Sequence, residues 1–280
     1  MKTFGKVWLG IGLMSLVFGI GLLIIAAASG ASWSDIPTYS KDESYDNVKA
    51  LDVKISYGKV IIEEGDGFSI HADRLIDEGF ESYVSNGTWV IKEEPEDYNE
   101  LFGMRLPMRQ ILQWNHEFVP EITITVPKDF VADNISLEIG AGTVTADVIK
   151  SVDGNFTVGA GELTINQLLI SGESNYKIGT GHMYLEQIEA KDVTVNCGVG
   201  YIEMDGIITG DNDVSCGIGG VHMNLSGNEE DYSYIISALG EVSINGESYH
   251  NLSDHRIVNK GSNNNFTIDC GIGDISVDFN

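Results

Sequence analysis

Residues 193–204 read VTVNCGVGYIEM, and residues 212–223, nineteen positions on, read NDVSCGIGGVHM. In both, apolar and polar residues alternate until a G-x-G interrupts them. The pattern recurs as LEIGAGTVTA, FTVGAGELTI, YKIGTGHMYL, IISALGEVSI and IDCGIGDISV. Aligned on the second glycine, the copies are anchored at Gly142, Gly161, Gly181, Gly200, Gly219, Gly240 and Gly273, with spacings of 19, 20, 19, 19, 21 and 33. The last interval is one period plus an insertion of about 13 residues within GESYHNLSDHRIVNKG (246–261). An outlying copy, VKISYGKVII, is anchored at Gly58.

Period-two alternation marks a strand with one buried face. Counting from the anchor as zero, positions −5, −3, −1, +2 and +4 are mostly apolar. They are Val195, Cys197, Val199, Ile202 and Met204 in one copy, and Ile268, Cys270, Ile272, Ile275 and Val277 in another. All five positions are expected to face inward. The phase jumps between −1 and +2, so the chain must turn a corner at the anchor, where glycine tolerates backbone angles other residues avoid. Stacked corners predict an all-β fold, a single-stranded β-solenoid of ~20-residue coils spaced ~4.8 Å apart. Apolar residues near +7 (Ile149, Leu168, Ile188 and Ile207) suggest a third short side.

Composition agrees with this reading. Glycine is 33 of 280 residues while proline is 5, which suits many turns of one kind rather than a Pro/Gly-rich linker. The chain carries 16 basic and 42 acidic residues, a formal charge of −26. Residues 1–30 hold no acids and two lysines, so the remainder carries −28. Nucleic-acid binding neutralises phosphates with Lys and Arg, so this balance excludes nucleic acid as a partner.

The N-terminus reads differently. Val7–Ala28 is an uncharged apolar run of 22 residues. As a helix it would be about 33 Å long, enough to cross a bilayer. Lys2 and Lys6 precede it, and the first charge after it is Asp35. The expectation is a cytoplasmic stub and transmembrane anchor over 1–30, a single-pass cell-membrane protein with residues 31–280 outside. A cleaved signal peptide is the rival, with small residues at Ala26–Ala28, although its apolar core is usually shorter. Residues 31–47 read as a polar tether, 48–134 as an N-terminal β region with an insertion or cap, and 135–280 as the solenoid, with 48–280 one structural unit.

Residues 66–134 break the repeat. Strand-like pieces are Phe68–Ala72, Thr88–Lys92 and Ile122–Val126. Between the last two lies NELFGMRLPMRQILQWNHEF, which has some helical character interrupted by Pro107. It is read as an apolar plug on the solenoid end; alternatively Arg105, Arg109 and Trp114 form a partner surface.

Chemistry-bearing residues are sparse. Cys197, Cys216 and Cys270 all fall at position −3, where other copies have Ile139, Val158 and Ile178, so they read as small core residues rather than a disulfide or metal set. Position +5 is polar throughout: Glu63, Asp147, Asn166, Glu186, Asp205, Asn224, Asn245 and Asp278. Such residues suit turns and can hydrogen-bond along a solenoid edge. A sharper alternative is a hard cation held where Glu186 and Asp205 meet on neighbouring coils. His182 and His222 occupy different repeat positions and are not expected to stack, and His250 and His255 lie in the inserted loop. No G-x-S-x-G, HExxH or P-loop occurs, and G-x-G here precedes a strand, so no cofactor and no catalytic residue is expected.

The apolar anchor, the run ITITVPKD at 122–129 and the stacked G-x-G repeats together resemble the bacterial β-strand-repeat family labelled "putative adhesin", a domain of unknown function that includes LiaG-like envelope proteins. The likeness covers residues 48–280; the insertion before the last coil departs from it. The resemblance implies a solenoid fold and a surface location, with no activity and no catalytic residues to carry over. The leading expectation is a non-enzymatic, membrane-anchored surface module contacting a protein or envelope polymer. An accessory subunit of an envelope stress-sensing system is the alternative, and a polysaccharide-active β-helix enzyme a weaker one. Self-association is a further possibility, because the chain stops at Asn280 directly after a strand whose edge would be open.

Overall fold

A computed structural model describes residues 38–75, 79–93, 99–101, 104–106, 119–250, 255–257 and 262–280. The apolar run 7–28 lies outside the described residues, among which no helix is long and apolar enough to cross a membrane. Tyr39–Asn280 is one compact unit. Its strands, in chain order, are β1 (Tyr39–Tyr45), β2 (Ala50–Gly65), β3 (Phe68–Leu75), β4 (Phe80–Ser85), β5 (Thr88–Glu93), β6 (Asn99–Leu101), β7 (Met104–Leu106) and β8 (Glu121–Pro127). They continue with β9 (Ala132–Ile170), β10 (Ser174–Lys191), β11 (Val193–Thr209), β12 (Asp211–Leu225), β13 (Tyr232–Ala238), β14 (Glu241–Ile244), β15 (Glu247–His250), β16 (His255–Ile257) and β17 (Asn264–Phe279). The fold is all-β, and among the described residues one open 15-stranded sheet holds every strand except the β6–β7 pair.

The repeat sets the register. β2, β9, β10, β11, β12 and β17 run parallel, and their anchors pair in turn: Gly58 with Gly142, Gly161 with Gly181, Gly181 with Gly200, Gly200 with Gly219, and Gly219 with Gly273. β9 is long enough to hold two copies, and Gly161 sits directly against Gly142. Like residues therefore stack on like. Position −5 gives the buried column Phe156, Tyr176, Val195, Val214 and Ile268; position +4 gives Ile165, Leu185, Met204, Met223 and Val277. Phe156 and Tyr176 stack with ring centroids 5.0 Å apart and planes 5° from parallel. Each such side chain contributes about 1.5–3 kcal/mol by leaving water, and only because a neighbouring copy covers it.

One inward position is reassigned. Residues at −1 face out: Val199, Ile218 and Ile272 are 45, 50 and 60% exposed. The corner begins at the first glycine of G-x-G and not at the anchor, so the middle residue is the apex and cannot reach the core. Both glycines are needed, for different reasons. At Gly161 φ is +141° and a Cβ would lie 1.7 Å from the Gly142 carbonyl oxygen. At Gly159 a Cβ would lie 2.3 Å from the Gly140 oxygen, a matter of close approach alone. The third side is partly as expected: Ile149, Leu168 and Ile188 are buried, but Ile207 is exposed and Ile208 takes the inward place. A register shift between Leu185 and Ile188 explains the change, because Ile188 pairs with Gly206 and Ala190 with Ile208.

At the C-terminal end, chain order and spatial order part. β17 pairs with β12 on one side and with β13 and β14 on the other, so the copy anchored at Gly273 lies between those of Gly219 and Gly240. The open edge expected beside Asn280 is thus filled. The insertion makes this possible. β15 folds back antiparallel on β14 through Asn245-Gly246, both at positive φ, and β16 lies antiparallel on β13. The Gly240 corner also differs. Ala238 pairs with Cys270 and Val242 with Ile275, so Leu239 alone replaces Gly271–Ile272, and Gly240 lacks the positive φ of the other anchors.

The N-terminal region corrects two expectations. Part of the segment read as a tether is strand, since Tyr39–Tyr45 pairs antiparallel with β3. Within the stretch read as partly helical, the described residues form the antiparallel pair β6–β7, with Arg105 opposite Glu100. The three strand-like pieces fall in β3, β5 and β8. β5 and β8 both run parallel to β2 and cover its outer edge.

Candidate functional site

Seven of the eight predicted corner glycines, Gly58, Gly142, Gly161, Gly181, Gly200, Gly219 and Gly273, have φ between +140 and +156°. Their alignment builds a surface in which each outward position forms a row along the stack. The −1 row runs Thr180, Val199, Ile218 and Ile272, with Leu239, 77% exposed, at the end. Across the corner, the +1 row runs Glu162, His182, Tyr201, Gly220 and Asp274, and the +3 row runs Thr164, Tyr184, Glu203, His222 and Ser276.

His182 and His222, at different repeat positions, do not stack on one another; each instead meets the same tyrosine. Tyr201 stands between them, with its ring centroid 6.3 Å from His182 and 5.3 Å from His222, both at 68°. His182 Nδ1 lies 3.0 Å from the Tyr184 hydroxyl. The Tyr201 ring lies across Gly220, where a Cβ would come within 2.8 Å of ring carbons. Every other copy has a side chain at that +1 position, so the missing one is what lets the ring lie down. The sequence signal was available: VGYIEM and IGGVHM put Tyr and Gly at one repeat position in successive copies.

Position +5 is a hydrogen-bonded edge in part. Asn166 Nδ2 donates to Asp147 at 3.3 Å, and Asn224 Nδ2 to Asp205 at 2.5 Å. Asp205 pairs in register with Asn224, and the register shift between Leu185 and Ile188 leaves Glu186, its partner in the alternative cation site, without a register pair. Among the described residues no group of three or more His, Cys, Asp or Glu is placed to hold a metal ion. Asp205 instead lines an open groove of about 460 Å³ with Gln167, Leu169, Gln187, Glu189 and Ile207.

Acids also serve the turns. Asp153 accepts the Glu173 N–H at 3.0 Å, and Asp192 accepts the Asp211 N–H at 2.9 Å. That backbone donor holds the Asp192 carboxyl below the usual range. The three cysteines are buried, free and stacked, Cys197 against Cys216 and Cys216 against Cys270. Donation to Cys216 pushes the Cys197 thiol up, and burial pushes Cys270 up to about 11. Cys216, receiving from its neighbour, is lowered to about 7.

Of the remaining predicted residues, Arg109 and Trp114 lie outside the described residues. Arg105 is in β7, and His255 is in β16.

No protein-family profile matches the chain, and no curated protein sequence does. Among solved structures, it is similar to a "putative cell adhesion protein" from Clostridium sporogenes, at 12% identity and a TM-score of 0.36, over 87% of this chain and 100% of the other. It is similar to a "putative adhesin" from Bacteroides fragilis, at 11% identity and a TM-score of 0.38, over 87% and 97%. It is also similar to a "putative lipid binding protein" from Parabacteroides distasonis, at 9% identity and a TM-score of 0.32, over 88% and 98%. At these values the likenesses carry no argument about the site.

Proposed function

We propose that residues 48–280 form a β-solenoid displayed outside the cell, anchored by the apolar run 7–28 with Lys2 and Lys6 in the cytoplasm. The chain is then a non-enzymatic, adhesin-like surface module that contacts a protein or envelope polymer through its G-x-G corner. Parallel, in-register pairing of copies 18–20 residues apart supports the solenoid. One observation carries the contact surface: Val199, Ile218, Ile272 and Leu239 form an exposed uncharged row on a chain with 42 acidic residues. Scattered exposed apolar residues are ordinary, but an aligned row is the kind of patch that marks an interaction site.

The test is adsorption of the full chain to isolated bacterial cell envelopes. The triple variant Val199→Ser, Ile218→Ser, Ile272→Ser is expected to adsorb about tenfold more weakly with an unchanged melting temperature, since the row lies outside the core. Equal adsorption by the variant contradicts the assignment.

A further inference from the structure

Beside the apolar row, the corner carries a more specific arrangement. Tyr201 is 40% exposed, and one ring face lies on the backbone at Gly220. Two imidazoles flank the ring with their planes at 68° to it. His182 commits Nδ1 to Tyr184, so Nε2 is the nitrogen that can meet a ligand. Glu203 pairs in register with His222, and Asp274 with Gly220; both are exposed. An aromatic ring bordered by imidazole N–H donors and by carboxylate acceptors is a constrained combination. An anion would meet Glu203 and Asp274 on a chain of −26. A cation offers no acceptor to an imidazole N–H. A pyranose ring satisfies both sides: its C–H face packs on the tyrosine, and its hydroxyls donate to carboxylates and accept from imidazole.

We propose that the face around Tyr201 is a binding site for a neutral polysaccharide, one sugar ring stacked on Tyr201 between His182 and His222. The proposal rests on the corner being a contact surface and names its ligand class. Rows at +1 and +3 continue past Tyr201 in both directions, so a polymer lying along the stack meets hydroxyl-binding side chains beyond the platform: Glu162 and Thr164 on one side, Ser276 on the other.

The experiment is calorimetric titration of the full chain with three neutral oligosaccharides (cellohexaose, mannohexaose and chitohexaose), a lysine decamer and polygalacturonate. The expected result is binding of at least one neutral oligosaccharide. Tyr201→Ala should weaken it about tenfold, Tyr201→Phe much less, because the ring face remains. Gly220→Ala, which adds no function and only lifts the ring, should weaken it as Tyr201→Ala does. Melting temperatures identify any variant that fails to fold, and Tyr201→Phe and Gly220→Ala then decide the matter. Binding of the decamer or the polyanion in place of the sugars overturns the proposal, as does sugar binding unmoved by Tyr201→Ala and Gly220→Ala, or no sugar binding at all. Envelope adsorption separates the two levels: adsorption that needs the apolar row without sugar binding sinks this proposal alone, and loss of both sinks the contact surface too.

Discussion

The copies anchored between Gly142 and Gly219 and the copy anchored at Gly240 use one sequence pattern for different tasks. In the middle of the stack, each corner receives a copy on both sides, and every G-x-G is complete with its anchor at positive φ. At the end, the corner loses a residue, Gly240 drops the positive φ, and the chain folds back as antiparallel strands on the outer edge. The double-glycine corner is thus a device for being stacked upon. Where stacking stops, antiparallel pairing blunts an edge that would otherwise recruit another chain.

The contrast can be broken most sharply at a glycine. Gly161→Ala is expected to cost more than about 3 kcal/mol, because the methyl meets backbone that cannot give way and φ stays positive. Gly246→Ala, at the hairpin tip, has φ +76° and open space around it, and should cost about 1–2 kcal/mol from the backbone angle alone. Urea midpoints measure both, and equal losses would mean the corners are not packed as described.

Next in size is Asn212. It is buried; its Oδ1 accepts from Val193 N at 2.9 Å, and its Nδ2 donates to Gly210 O at 3.1 Å and Asn265 O at 3.2 Å, linking three copies. Asn212→Ala strands those backbone groups and should cost about 2 kcal/mol. Leu239→Ser, at the exposed end corner, should change stability by less than about 0.5 kcal/mol. A large loss there would place the end corner inside a core.

The smallest effect is electrostatic. Asp192 has a lowered folded pKa, so its contribution is present above its unfolded value of about 3.9 and lost as pH falls through the folded value. Carboxyl NMR should find Asp192 titrating below that reference. Titration at or above it would remove the Asp211 N–H from the turn.

How much was legible follows the same division. The 19-residue phase reached the strands, the stacked anchors, the cysteine column and part of the +5 edge, because each is fixed by repetition. Three features escaped it. The outward turn of Val199, Ile218 and Ile272 escaped because an apolar apex and an inward apolar residue look alike in a period-two pattern. The Tyr201 platform escaped because it depends on a residue that is missing, the side chain at Gly220. The Gly219–Gly273–Gly240 order escaped because repeat spacing is silent on which copy an insertion lets slip between its neighbours.

That order is the account's central claim, since it makes the repeat a stack with a closed end, and backbone amide contacts test it directly. In a perdeuterated, amide-protonated full chain, nuclear Overhauser effects are predicted between strand 213–216 and strand 267–270, and between strand 267–270 and strand 235–238, following the pairs Val214–Ile268 and Ile236–Ile268. Effects joining Val214 directly to Ile236, with none from either to Ile268, would contradict it.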